Sequence, residues 1–260
     1  MKNIFLKALL LLGASGLSVS ASAWGRSGHD PIAYIAELNL NPETKAIVEK
    51  YLDGKSIVYY ASWPDQIRFI HEYQHSYSSF GHSAVYDSDC RHSPKADIPD
   101  AVVQISDIIA EYGNGKYKEM PDSVVAVTIK YLTHAVGDMH CPGHCKIEGR
   151  DNNMTVTCAG EKLRMHNFWD DMPARVHLWG YMEYGHQFCR LTKEQAAEIC
   201  SGTVKDWGEE AARTSVVVWE CAEEGGELDK PYINKFAPVM DELIVKAGYR
   251  LAYVLNNIFK

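Results

Sequence analysis

Between Thr133 and Asp170 the chain carries His134, Asp138, His140, His144, His166 and Asp170, a run of imidazoles and carboxylates at intervals suited to metal ligands. His134 with Asp138, and His166 with Asp170, are each four residues apart. On a helix that spacing puts both side chains on one face, about 5–6 Å apart at Cβ, so each pair can grip one ion or two neighbouring ions. Imidazole and carboxylate together favour zinc or a similar divalent metal. A single such pair is commonly just solvated or hydrogen-bonded, but two pairs with further histidines in one window point to metal. Three earlier positions extend the set: His29, Asp65 within Ala61-Ser-Trp-Pro-Asp-Gln-Ile-Arg68, and His82 after Phe80-Gly81. One zinc ion takes about four ligands, so a set of this size implies more than one ion.

The elements that must position these residues read mostly as helices. Ile32, Ile35, Ala36 and Leu38 form one helical stripe, a second segment runs from Pro42 to Leu52, and Val102, Ile105, Ile108 and Ile109 mark a third. From Asp122, read as an acidic cap, to about Met139, the apolar positions Val125, Ile129, Leu132 and Val136 predict a buried helix. His134 and Asp138 lie near its end, where a packed helix holds ligands rigidly. Met154 to Cys158, Ala159-Gly160 and a following short run predict a small β-hairpin. Helix resumes near Leu163, carrying His166 and Asp170, and further helices are expected from Thr192, from Gly202 through Cys221, and from Pro231 to Ile258. Val216, Val217, Val218 and Trp219 read as core. The expected fold is an all-α single domain with one minor β-hairpin, its metal site held between helices.

Residues 1–23 have the form of a secretory signal peptide: Lys2 and Lys7, the apolar stretch Ala8-Leu-Leu-Leu-Leu-Gly, then Ala21-Ser22-Ala23 before Trp24. The mature domain is therefore expected to span 24–260, exported, soluble and monomeric. Removing Lys2 and Lys7 from the 26 basic residues leaves 24 against 34 acidic ones, a formal charge of −10. Such a chain binds polyanions poorly unless local positive charge is supplied, and divalent ions are the obvious supply. Seven cysteines remain, and an exported compartment permits disulfides. Cys141 and Cys145, flanking Pro-Gly-His144, fit either a thiolate metal site or a local disulfide, and spacing does not decide between them.

Taken in order, Trp24-Gly-Arg-Ser-Gly-His29, Ser62-Trp-Pro-Asp65-Gln-Ile-Arg68, Gly81-His82, Thr133-His134-Ala-Val-Gly-Asp138-Met-His140-Cys-Pro-Gly-His144 and Leu163-Arg-Met-His166-Asn-Phe-Trp169-Asp170 span nearly the whole mature chain. This arrangement resembles the zinc-dependent S1/P1 nuclease family, which shares its fold with bacterial zinc phospholipase C. The resemblance implies three zinc ions. Asp65, His82, His134 and Asp138 would hold one; Trp24, through its free α-amino group and carbonyl oxygen, with His29 and bridging Asp138, a second; and His144, His166 and Asp170 the third. It also implies hydrolysis of single-stranded DNA or RNA to 5′-nucleotides by a metal-activated water, with 3′-nucleotidase activity as an extension. Asp65 would orient that water and Arg68 would contact the phosphate. His140 is not among the family's ligands and takes a supporting part. His71, His75, His92, His177 and His186 have no comparable constellation and read as ordinary polar residues.

Two positions depart from the family's pattern. An aromatic residue that stacks on a base normally follows the histidine corresponding to His82, whereas here Ser83 does, leaving Phe80, Tyr86 or Tyr73 as replacements. Cys-Pro-Gly precedes His144 in place of the usual polar-Pro-Leu. Rival readings are a phospholipase C acting on lipid headgroups and a non-catalytic zinc-binding exported protein. The phospholipase branch tends to have Glu where this chain has Asp170, which favours the nuclease. An aminopeptidase-like hydrolase lacks its His-Glu-x-x-His motif.

Overall fold

The computed structural model describes residues 24–260, apart from the side chains of 73–76. Residues 1–23, on which the signal-peptide reading falls, lie outside the described residues. Eleven α-helices make up most of the described chain: α1 Arg26–Leu38, α2 Pro42–Tyr51, α3 Trp63–Ile67, α4 Gln74–Ser79, α5 Ala101–Tyr112, α6 Asp122–His140, α7 Met165–Val176, α8 Tyr181–Phe188, α9 Lys193–Ile199, α10 Val204–Glu220 and α11 Lys230–Ile258. The all-α expectation holds. Among the described residues no helix is long and apolar enough to cross a membrane.

The centre of the fold is α6, with α1 and α11 packed against it and against each other. Residues 131 to 140 of α6 are all buried, which explains why this helix shows apolar residues on more than one face. Asp122 sits in its first turn rather than at the cap, a position Pro121 takes; there it still complements the positive end of the helix dipole. The close approach of α1 and α11 depends on Gly248, where a Cβ would meet Ile35 Cγ2 at 2.5 Å. Ile32, Ile35 and Ala36 of α1 face this core as expected, but Leu38, at the helix end, is 50% exposed. In α10, Val218 and Trp219 are core while Val217 is 51% exposed, because successive helical residues point about 100° apart.

The hairpin forms from β3 Thr155–Cys158 and β4 Glu161–Arg164, paired antiparallel from Thr155 opposite Arg164 to Cys158 opposite Glu161. Ala159 and Gly160 both have positive φ (52° and 80°), as a two-residue hairpin turn of matching twist requires. Leu163 belongs to β4, so the helix that carries His166 starts at Met165. A second small sheet was not expected: β1 Ala84–Tyr86 pairs in parallel with β2 Cys145–Ile147. It fastens the chain after His82 directly beside the chain after His144. Asp100, the N-cap of α5, supports β1 by accepting hydrogen bonds from the amides of Val85 (3.0 Å) and Val103 (3.2 Å).

His140 belongs to this framework. Its Nδ1 donates to the Val136 carbonyl at 2.7 Å and its Nε2 accepts from Arg250 of α11 at 2.8 Å. Burial, and then the Arg250 charge, push its pKa down to about 3, so it stays neutral and ties α6 to α11.

Candidate metal centre

The helices bring the sequence's scattered ligands to one buried locus. Asp138, near the end of α6, is its hub. His29 Nε2 lies 3.2 Å from Asp138 Oδ1, while Asp138 Oδ2 lies 3.2 Å from His134 Nε2, 3.3 Å from His82 Nδ1 and 4.0 Å from His144 Nδ1. Asp65, on the short helix α3, approaches His134 Nε2 to 3.6 Å. A few ångströms further, His144 Nε2 is 3.8 Å from Asp170 Oδ1, and His166 Nε2 is 3.1 Å from Asp170 Oδ2. Both pairs at four-residue spacing therefore do share a helical face.

Most of these contacts are not hydrogen bonds. His29 Nδ1 and Nε2, His82 Nε2, His134 Nε2, His144 Nε2, Asp65 Oδ2, Asp138 Oδ1 and Asp170 Oδ2 are all buried without a hydrogen-bond partner. An unpaired buried polar atom costs about 1–3 kcal/mol. So many in one place are explained if their lone pairs converge on cations, and this imidazole–carboxylate donor set suits zinc. Three groups have ligand atoms within 4.8 Å of one another: His29, His134 and Asp138; Asp65, His82 and His134; and Cys141, His144 and Asp170.

Local structure fixes which nitrogen faces inward. His134 Nδ1 donates to the Ala61 carbonyl at 2.9 Å, leaving Nε2 for Asp65 and Asp138. His144 Nδ1 donates to the His82 carbonyl, which leaves its Nε2 for Asp170. Such backbone acceptors set the tautomer and orientation of ligating histidines. His29 stacks on His134 with ring centroids 4.0 Å apart. The space it occupies exists because residue 137 is glycine: a Cβ there would lie 2.9 Å from His29 Nδ1.

The electrostatics point the same way. Burial alone would depress His134 and His144, but Asp138 and Asp65 raise His134 to about 9, and Asp138 and Asp170 raise His144 to about 9. His29, buried beside His134, is lowered. Burial opposes ionisation of Asp138, yet His134 and His144 hold it well below the usual carboxylate range. The buried carboxylates thus demand compensating positive charge, from protons on imidazoles or from divalent ions.

Trp24 is fully buried and edge-on to Trp169 of α7, with ring centroids 6.5 Å apart. The next amide, Gly25 N, donates to the Asp170 carbonyl at 2.8 Å. The segment at residue 24 is thereby anchored against the helix that carries His166 and Asp170.

At the edge of the locus, Arg68 donates a hydrogen bond to the Tyr77 hydroxyl. The Tyr77 ring lies 4.6 Å from the His82 ring, and the Arg68 guanidinium covers the Phe69 ring at 4.6 Å. Phe69 is 67% exposed. Of the residues expected to replace the missing aromatic, Tyr86 is 1% exposed and Phe80 stacks on Tyr131 at 4.9 Å; the Tyr73 side chain is outside the described atoms. Both described candidates are thus packing residues, and Tyr77, against His82, and Phe69, exposed beside Arg68, are the aromatics at this edge of the locus. Sequence reasoning missed them because neither stands in a ligand motif.

All seven cysteines are unpaired, so the local disulfide reading of Cys141 and Cys145 is not realised: the Cys145 thiol turns instead to the Cys141 carbonyl at 3.8 Å. Of the other histidines, His92 pairs with Asp100 and His177 with Asp241, each at 2.9 Å, as structural contacts away from the locus.

A family model described as S1/P1 Nuclease matches residues 24–260. Nuclease S1 of Aspergillus oryzae is 27% identical over 96% of this chain and 97% of its own. Endonuclease 1 of Arabidopsis thaliana is 26% identical over 97% and 93%, and Nuclease P1 of Penicillium citrinum 24% over 90% and 97%.

Proposed function

The chain belongs to the S1/P1 nuclease family, and from that membership we propose that it is an exported, trinuclear-zinc phosphodiesterase cutting single-stranded DNA or RNA to 5′-nucleotides, with 3′-nucleotidase activity. The observation that carries the reading is Asp138, fully buried, with four imidazoles within 4.0 Å and its Oδ1 otherwise unpartnered. Asp65, His82, His134 and Asp138 would hold one ion, and Trp24, His29 and Asp138 a second. His144, His166 and Asp170 would hold the third. Bound divalent ions supply an activated water and a counter-charge for phosphoryl oxygens.

The chain's own groups do the positioning. Asp65 Oδ2, buried and unpartnered, accepts from the attacking water and orients it. Arg68 donates to a phosphoryl oxygen, its planar fork steadied by a hydrogen bond to Tyr77 and by the Phe69 ring. Phe69, exposed beside Arg68, offers a π-face to a base and takes the part that Ser83 cannot. Trp24 acts through a free α-amino group, so removal of residues 1–23 creates a ligand. An exported form whose N-terminus is not Trp24 would remove it from the ligand set.

The test is to incubate zinc-loaded protein beginning at Trp24 with single-stranded DNA, RNA, a 3′-nucleotide and phosphatidylcholine. Cleavage of the nucleic acids, releasing 5′-phosphates, is expected. Cleavage of the lipid alone would replace the nuclease reading with the phospholipase one. No cleavage with three zinc ions bound would favour the non-catalytic reading, and a zinc content near one would end the trinuclear assignment.

A further inference from the structure

Cys141 is the residue at this centre that neither the four-residue spacing nor the family's ligand pattern accounts for. It follows α6 directly, is fully buried, and its Sγ lies 3.6 Å from Asp170 Oδ1. Sγ, His144 Nε2 and the Asp170 carboxylate fall within one 4.8 Å cluster, and His144 Nε2 and Asp170 Oδ2 are buried without hydrogen-bond partners. We propose that the Cys141 thiolate is a fourth protein ligand of the third ion, completing a Cys141–His144–His166–Asp170 site. The inference rests on the metal-dependent reading above.

The distances fit ligation as well as they fit a thiol hydrogen bond. With a zinc–sulfur bond of about 2.3 Å and a zinc–oxygen bond of about 2.1 Å at a tetrahedral angle, the sulfur–oxygen edge is about 3.6 Å. That is the separation observed between Cys141 Sγ and Asp170 Oδ1. Backbone structure holds the sulfur there. After Cys141 the chain turns through a single 3-10 turn, Pro142–His144, and Gly143 packs so tightly on His166 that a Cβ would lie 3.2 Å from its ring and from its carbonyl oxygen. Cys141, His144 and His166 are thus fixed relative to one another by backbone contacts. The nearest other thiol, Cys145, points to the Cys141 carbonyl and does not compete.

The chemical consequence is a division of labour. A zinc ion with four protein ligands is closed, as structural zinc sites are, whereas a catalytic one keeps a position open. Water activation would then fall to the two ions around Asp138, and the third would clamp α6 to α7 and present fixed positive charge to the substrate. The rival account is a neutral thiol donating an S–H hydrogen bond to Asp170, with no bond to metal.

Cobalt(II) substitution separates the two. Protein loaded with three cobalt ions is expected to show a near-ultraviolet sulfur-to-cobalt charge-transfer band that Cys141→Ser lacks. In chelator competition the variant should release one of its three ions at least about tenfold more readily. Zinc X-ray absorption of the unaltered protein, which requires no variant to fold, should show about one sulfur neighbour near 2.3 Å per three zinc ions. Three bound ions with no charge-transfer band and no sulfur neighbour would overturn the Cys141 assignment while leaving the metal centre standing. A band that persists in Cys141→Ser would also overturn it. Failure to bind any of the ions would overturn the metal-dependent reading itself.

Discussion

Gly137→Ala tests whether the geometry around Asp138 is what holds metal. The new Cβ would lie 2.9 Å from His29 Nδ1, 3.1 Å from its Cε1 and 3.3 Å from Ile32 Cδ1, against an ordinary contact of 3.4 Å or more. The imidazole must therefore move by about 0.5 Å, whereas a ligand position tolerates only about ±0.2 Å. It has nowhere to go, being fully buried and stacked on His134 at 4.0 Å. Overpacking costs about 1–3 kcal/mol, and replacing glycine by alanine within a helix returns about 1 kcal/mol, so the net loss of stability is about 0–2 kcal/mol. Folding should thus survive while metal binding suffers. Thermal unfolding in excess chelator is expected to shift modestly, and one ion should be lost from the complement at a chelator concentration about tenfold or more below that needed for the wild type. Retention of every ion at the wild-type chelator midpoint would refute the reasoning. So would a collapse in chelator, which would make Gly137 a packing residue rather than a ligand-positioning one.

Arg68→Ala should lower kcat by about 10²–10³, the usual cost of one well-placed phosphoryl donor, with zinc content unchanged by elemental analysis; unaltered turnover would remove Arg68 from the mechanism. Phe69→Ala should raise KM for single-stranded oligonucleotides about fivefold to a hundredfold, from about 1–3 kcal/mol of lost stacking, with little change in kcat; an equal KM would show that no base rests there. Glu210 gives a pH dependence of stability. Burial would raise its pKa, but hydrogen bonds from Lys246 and Arg250 outweigh that and hold it at about 2, below the ordinary 4.5. The stabilisation is fully present above about pH 4.5 and is lost as pH falls toward 2. With its side chain one-third exposed, solvent screening limits it to about 1–2 kcal/mol. Denaturant titrations in chelator should show a steeper fall for wild type than for Glu210→Gln between pH 4.5 and 2.5, and identical slopes would contradict the assignment.

The candidate ligands were legible because two independent regularities coincide on them. The four-residue spacing of His134 with Asp138 and of His166 with Asp170 marks a shared helical face, and the apolar positions of α6 mark that helix as buried. What lay outside the sequence's reach was anything set by contacts between distant segments. The β1–β2 pair has three residues a side, too few to show a period, and joins segments about 60 residues apart in sequence. Tyr86 looked available for stacking, but it is covered where Gly208 of α10 comes close; a Cβ there would meet its hydroxyl at 2.7 Å. His140 differs from its neighbours only through Arg250, which stands at the other end of the chain. For Cys141 the two readings could not be separated by spacing. The direction of the Cys145 thiol removes the local disulfide, and Asp170 beside the Cys141 thiol is the contact from which metal ligation is proposed.

The hydrogen bond from Gly25 to the Asp170 carbonyl means that an early segment of the chain closes onto a helix made much later. His29 likewise waits for Asp138, and Asp65 for His134. A partly emerged chain therefore owns isolated histidines and carboxylates but not the cluster around Asp138, whose members come from both early and late segments. Contacts between segments this far apart in sequence close slowly. The cluster around Asp138 exists only once the topology is complete.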